Sequence, residues 1–403
     1  MKETILVVAT SYPKRIRDVN GVFVHDLCRH LKKDYDVFVI APWEKGLARE
    51  EVIDGVRVSR HRQFLWHVNF AYGTDIMTKL GQNPMLHLVV PFFLLFQLTH
   101  IRMMVKRHDI RLIHAHWLIP SALVTVIYKS LFNRRIRIIT TLLGADVWSF
   151  NRGWKQHIAK FALHHVDTVT SQSLPLLEEV KRMGHKGRGM VLPIGLDTSI
   201  FSPAKQSTEL RHYFGNNGLF LLFVGTLIDR KGVVPLVEAA AMLREKGLKF
   251  TLLMVGSGER EAHLRQMITE KGLQQNVILA GTVPYEELPP YFATADIFIL
   301  PSLSEGFPLV VMAALSSGTL PVVSDLSVFT AHEHCDELFT IVKAGNAESI
   351  AEVVADLLAN PDCLIEKKQQ LRNFAVNNLE ISIIAKQYGL LFDELLNPPT
   401  PEK

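Results

Sequence analysis

Apolar residues recur along this chain with two periods, and their alternation predicts most of its architecture. Short, nearly continuous apolar runs at Ile5 to Ala9, Asp36 to Ile40, Ile136 to Thr141, Leu219 to Val224, Thr251 to Val255 and Ile297 to Leu300 have the length and character of strands buried on both faces of a parallel sheet. Between them lie segments with apolar positions at helical spacing, among them Val22 to Leu31, Pro175 to Met183, a stretch from Val233, and Ala347 to Ala359. Strand and helix alternate from Thr4 onward, with polar and glycine-bearing loops after the strands. This order predicts an α/β protein of two doubly wound domains facing each other across a cleft, since 403 residues exceed what one compact core holds.

One stretch departs from the alternation. Met85 to Leu98, MLHLVVPFFLLFQL, is apolar all round, carries Pro91, and is shorter than the ~20 residues that cross a bilayer. Two readings fit it: a buried helix, or a surface segment dipping into a membrane interface and flanked by Arg102, Lys106 and Arg107.

Composition narrows the setting. An apolar share of 48% with 21% charged residues belongs to a globular chain and excludes a disordered one. Met1 and Lys2 run straight into the first strand rather than into an export signal, and Cys28, Cys335 and Cys363 have neither disulfide nor zinc spacing, so a cytoplasmic location is expected. The net charge of +4 conceals an asymmetry: residues 1–200 hold 28 Lys and Arg against 16 Asp and Glu, a net of +12, and residues 201–403 a net of −8. All five tryptophans fall in the basic half. No nucleic-acid recognition motif accompanies that charge, and an anionic membrane surface or a phosphorylated acceptor accounts for it equally.

Candidate chemistry concentrates in loops at strand ends. In LPSLSEGFPLVVMAALSSG, from Leu300 to Gly318, the strand stops at Pro301, and Glu305 and Gly306 are expected to open a helix through Phe307, Val310, Val311, Ala314 and Leu315. Unpaired N–H groups at such a junction suit phosphate or hydroxyl oxygens, and Glu305 at its mouth either binds a ligand or caps the helix. The segment GTLIDRKG, from Gly225 to Gly232, places Arg230 and Lys231 at another helix start, where a diphosphate could be held. Asn20 and Gly21 precede the first helix, where a residue lacking Cβ lets backbone amides approach a phosphate. In RLIHAH, His114 and His116 are read as alternating across a strand end, so that only one faces a ligand. Asp146, in LLGADVW, either binds a hydroxyl or caps the chain.

These segments resemble the retaining, nucleotide-sugar-dependent glycosyltransferases of family 4, which have two Rossmann-like domains in the GT-B arrangement. Glu305, Gly306 and Phe307 match the pattern Glu-Gly-Phe-x5-Glu, with Ala313 where a second Glu normally holds the donor ribose. Thr141, Gly144, Asp146 and Val147 match Thr-x-His-Gly-x-Asp-Val, with Leu143 in place of the His. Lys231 matches Gly-Arg-Leu-x3-Lys-Gly, Thr226 replaces its Arg, and Arg230 is a candidate substitute. The resemblance implies Glu305, Asp146 and His116 as catalytic residues, His116 lying on the acceptor side. It implies Gly21, Gly225, Arg230, Lys231, Gly306, Phe307, Pro308 and Leu309 around the donor. It further implies domains over 1–203 and 204–380, joined near Ser202 to Ser207, with a C-terminal helix in 381–403 crossing back to the first.

The implied activity is transfer of a sugar from a nucleotide-sugar to a lipid-linked or saccharide acceptor with retention, in cell-surface polysaccharide or glycolipid synthesis. No metal or cofactor is expected. The changes at Leu143, Thr226 and Ala313 leave two alternatives: a site re-tuned for another donor, or a weak or inactive relative acting as a scaffold.

Overall fold

The computed structural model describes residues 2–14, 21–62, 83–215, 218–360 and 362–398; Asn20, Trp66 and the tail from Pro399 lie outside them. The chain divides into two compact units, residues 1–195 with 381–403, and residues 196–380. The passage between them comes earlier than Ser202 to Ser207. Leu196 N already donates to Leu379 O at 2.8 Å, and Arg372 Nη1 donates to the carbonyls of Thr198 (2.8 Å) and Phe201 (2.9 Å), so the whole passage segment is bonded into the second unit.

Among the described residues the first unit has an eight-stranded sheet in the order β3-β4-β2-β1-β5-β6-β7-β8. Its strands are β1 (Thr4–Val8), β2 (Asp36–Pro42), β3 (Glu50–Ile53), β4 (Val56–His61), β5 (Leu112–His116), β6 (Arg137–Leu142), β7 (Thr168–Ser171) and β8 (Arg188–Val191). All pairs are parallel except the β3–β4 hairpin, which the apolar pattern did not announce because charged and polar residues interrupt both strands, even though β4 is buried except at Arg57. Asp54 and Gly55 turn it with φ of 46° and 79°, the doubly positive geometry that matches strand twist. Ile101, Met104 and Val126 pack in the core on one face of the sheet. On the other, Val24 and Leu27 of the Val22–Leu31 helix meet Ile384, Tyr388 and Phe392 of the returning Ile381–Leu396 helix.

The apolar stretch resolves into a short 3-10 turn, Pro84–Leu88, and the helix Val90–His108. Pro91 does not break it. It stands in the first turn, where its missing N–H would have had no partner. The helix is half-buried: Phe93, Gln97, Ile101, Met104 and Val105 face the core, while Phe92, Leu95 and Met103 face outward. The buried-helix reading therefore holds for one face, and the other face is exposed.

The second unit has a parallel six-stranded sheet in the order β11-β10-β9-β12-β13-β14. It comprises β9 (Leu219–Val224), β10 (Phe250–Val255), β11 (Val277–Gly281), β12 (Ile297–Leu300), β13 (Leu320–Ser324) and β14 (Thr340–Val342). Strands β9 and β12 are buried almost throughout, as a sheet covered on both faces requires. In each unit the strand order reverses once, between β1 and β5 and between β9 and β12. Loops leaving the carboxyl ends of strands diverge at such a reversal and leave a crevice for ligands.

Candidate active site

The reversal in the second unit brings together the loops after β9 and β12. Lys231 Nζ lies 2.5 Å from Glu305 Oε1, and Ser302 Oγ donates to the same oxygen at 2.6 Å. Both charged side chains are largely covered, with exposures of 14% for Lys231 and 7% for Glu305. The loops are joined by backbone as well. Leu303 N donates to Arg230 O at 2.8 Å, and Gly232, at φ 68°, packs so closely that a Cβ there would stand 2.0 Å from Pro301 O. Only glycine permits this approach.

The next loop supports the first two. Leu227 N donates to Ser257 O at 3.0 Å, and Gly256, at φ 141°, leaves no room for a Cβ against Gly225 O. Arg260 hydrogen-bonds the carboxyl of Asp229 and holds it below the usual carboxylate range, so the acid next to Arg230 is already neutralised. The Arg230 side chain is exposed and forms no hydrogen bond or ion pair with a described residue, so Lys231 is the cation held in place.

Glu305 is not a helix cap. The helix begins only at Leu309, with Pro308 as its N-cap, and Phe307 lies in the preceding loop, buried among Phe329, His332 and Phe339. Gly306 and Pro308 are half-buried, as is Leu309, while Ala313 sits one turn into the helix and is buried. Thr226 is exposed. Glu305 is thus held by side chains, Lys231 and Ser302. Sequence reasoning missed Ser302, although a serine three residues ahead of a loop acid is a recurrent local hydrogen-bonding arrangement.

The first unit's reversal places Gly21, His116 and Asp146. Gly21 caps the first helix at φ 67°, and a Cβ there would meet Ser11 O at 2.2 Å, so glycine lets the β1 loop fold back on itself. That loop is pinned from behind. Tyr12 Oη and His25 Nδ1 are 2.7 Å apart, His25 Nε2 reaches Asp54 Oδ2 at 3.0 Å, and buried Arg60 donates to Pro13 O at 2.8 Å. None of these supports was picked out from the sequence.

His114 and His116 share one face of β5, because side-chain direction repeats every two residues; their ring centroids are 4.3 Å apart. The expectation that they alternate is corrected. His114 Nε2 pairs with Thr141 Oγ1 at 2.8 Å, and Thr141 pairs with Tyr388 Oη at 2.8 Å, which ties the returning helix to the sheet. His116 is buried against Phe23 and Trp117, and neither ring nitrogen has a hydrogen-bond partner among the described residues. Burial pushes its pKa down to about 3, so the ring is neutral at ordinary pH.

Asp146 serves the backbone. Its Oδ2 accepts from Leu118 N at 2.8 Å and its Oδ1 from Leu143 N (3.1 Å) and Gly144 N (2.9 Å), while burial raises its pKa. It therefore couples the loops after β5 and β6 and holds Trp117 in an unfavourable backbone conformation, φ 70° and ψ 142°.

Known proteins match the chain over both units. The family model for glycosyl transferases group 1 matches residues 209–377, and that for glycosyltransferase family 4 matches residues 21–200. TuaC of Bacillus subtilis, named as a teichuronic acid biosynthesis glycosyltransferase, is 27% identical over 368 residues, 87% of this chain and 88% of its own. The GDP-mannose-dependent alpha-(1-6)-phosphatidylinositol monomannoside mannosyltransferase of Mycolicibacterium smegmatis is 27% identical over 297 residues, 70% of this chain and 75% of its own. Among solved structures, sucrose-phosphate synthase from Thermosynechococcus elongatus shares the fold with a TM-score of 0.79 at 20% identity, covering 98% of this chain and 99% of that one. With one model on each unit, the chain belongs to the group 1 glycosyltransferases, with a family 4 amino-terminal domain and two Rossmann-like units of the GT-B type.

Proposed function

We propose that this glycosyltransferase moves a sugar from a nucleotide-sugar to a saccharide or lipid-linked acceptor with retention of configuration, in the synthesis of a cell-surface polysaccharide or glycolipid. The observation that carries the reading is the juxtaposition of Lys231 and Glu305 at the strand reversal of the second unit. Breaking a glycosidic bond to a diphosphate gathers negative charge on the leaving oxygens, and a cation fixed there beforehand stabilises that charge more in the transition state than in the ground state. Lys231 is that cation, and Glu305 holds the sugar hydroxyls beside it. Lys231 and backbone amides supply the electrophilic stabilisation, so turnover needs no divalent ion.

Retention follows from attack on the face that the diphosphate leaves. No second carboxylate is assigned as a nucleophile, since Asp146 is engaged by three backbone amides. The changes at Thr226 and Ala313, both in the second unit, are read as a donor pocket re-tuned for another nucleotide-sugar. The names of the relatives, one in teichuronic acid synthesis and one acting on a phosphatidylinositol mannoside, support a surface-polymer or glycolipid setting.

Calorimetric titration against a panel of nucleoside diphosphates and nucleotide-sugars tests the reading. One of them binds, and Lys231→Ala weakens it by roughly 1.5–3 kcal/mol, the range for hydrogen bonds to charged groups. With the donor so found, turnover persists in a chelator, is lost in Glu305→Ala, and gives a product with the anomeric configuration of the donor. Unchanged binding by Lys231→Ala, or full turnover by Glu305→Ala, overturns it.

A further inference from the structure

The first unit carries an apolar surface that the glycosyl-transfer site does not use. Along the Pro84–Leu88 turn and the Val90–His108 helix, Leu88, Phe92, Leu95 and Met103 lie four, three and eight residues apart, with exposed Thr99 midway in the last gap, and are all exposed, Leu88 by 70% and Leu95 by 51%. This is one stripe of a helix. Leu131 and Phe132, at the end of the neighbouring Leu123–Leu131 helix, are exposed by 67% and 45%. The guanidinium of Arg102 stands 4.3 Å from the Phe132 ring centroid, so the exposed residues of the two helices meet. Single exposed leucines need no explanation, but apolar residues gathered on the outer faces of two neighbouring helices do.

Charge says what covers it. Arg102, Lys106 and Arg107 lie on the carboxyl half of the same helix, and Arg134 and Arg135 follow Phe132; all five are exposed. Among the described residues, the acids nearby are Asp109, which ends the helix, and Glu50, 3.5 Å from Arg107. Two copies docked through this face would set one cluster of cations against another. An anionic lipid surface matches both halves of the patch, taking the leucines into its acyl boundary and the cations among its headgroups.

The helix cannot cross such a membrane while the unit is folded, because Phe93, Gln97, Ile101, Met104 and Val105 are packed into the core. We infer that the exposed face formed by Leu88, Phe92, Leu95, Met103, Leu131 and Phe132, with its basic border, seats the first unit in the plane of an anionic bilayer. The inference is independent of the donor site and is tested without donor.

The test is co-sedimentation of the full chain with vesicles of phosphatidylcholine, with or without phosphatidylglycerol, over a range of salt. The chain pellets with the anionic vesicles at low salt, stays in the supernatant with neutral ones, and is released as salt rises. The triple variant Arg102→Gln, Lys106→Gln, Arg107→Gln loses on the order of 100-fold in partitioning. The double variant Leu88→Ser, Leu95→Ser loses about 10-fold or more to the same vesicles, with an unchanged circular dichroism spectrum. Failure to pellet at low salt, equal binding to neutral vesicles, or undiminished binding by both variants overturns the inference. So does sedimentation velocity showing a dimer that Leu95→Asp dissolves, which would give the face to a second copy. Nucleotide binding, measured separately in solution, is untouched by any of these outcomes.

Discussion

Lys231 and Glu305, 74 residues apart in sequence, form a largely covered ion pair that joins the loops after β9 and β12. Each neutralises the other, so an arriving diphosphate competes with Glu305 for the ammonium, and donor binding must rearrange or share this pair. Removing one partner of a buried pair strands a charge. Lys231→Met is therefore expected to destabilise the protein by about 3–5 kcal/mol, and Lys231→Met with Glu305→Gln to recover most of the loss. Urea unfolding of the three variants measures it; equal destabilisation by the single and the double variant refutes the coupling.

Ser302 acts through Glu305 as a positioning residue. Ser302→Ala removes the hydroxyl that fixes Glu305 Oε1 at 2.6 Å, and the expected loss is about 1.5–3 kcal/mol, the range for a hydrogen bond to a charged group. It should fall on kcat rather than on the affinity for a free nucleoside diphosphate, because the carboxylate orients the sugar. Ser302→Thr, which keeps the hydroxyl, should restore part of kcat. Steady-state kinetics beside calorimetric titration separates the two.

Gly232→Ala probes how the loops are set. A Cβ placed 2.0 Å from Pro301 O at φ 68° forces the two loops apart, with an expected cost of at least ~1–3 kcal/mol in stability and a weakened diphosphate site. Thermal unfolding and nucleotide titration read both effects. Gly247→Ala, at φ 71° with open space around its Cβ, controls for backbone conformation alone and should leave nucleotide binding unchanged.

Stability should fall as the solution becomes acidic. The unfolded His116 ring takes a proton near pH 6.5, whereas burial holds the folded ring neutral down to about 3, so within that window the unfolded state binds more protons and folding weakens as pH drops. His116 alone contributes about 1.4 kcal/mol of loss by pH 5.5. His61, pushed down to about 3 by the same cause, adds to it. The raised carboxyl of Asp146 works in the opposite direction, so the informative quantity is the difference between the wild type and His116→Gln. Chemical denaturation at pH 7.5 and 5.5 should show a shallower decline in the variant, and an equal decline would deny His116 its part.

The apolar runs by themselves determined the α/β class and the strands at the middle of each sheet, because a parallel sheet covered on both faces demands continuous apolar segments such as Leu219–Val224 and Ile297–Leu300. Sequence also placed Gly21, Lys231 and Glu305 in loops after strands, where local chain chemistry carries the signal. What it left out depends on partners distant in the chain. In the β3–β4 hairpin charged and polar residues interrupt both strands, so no run marked it. The passage between units was placed too late because Arg372 binds Thr198 and Phe201 into the second unit, a contact across 174 and 171 residues. Whether Glu305 capped a helix or bound a ligand was open in the sequence; the helix starts only at Leu309, and the strand order, which sets β9 beside β12, brings Lys231 to Glu305. The common face of His114 and His116 follows from strand geometry alone, but their surroundings required the fold. Tyr388, 247 residues from Thr141, completes the network that holds one ring and leaves the other without a hydrogen-bond partner among the described residues.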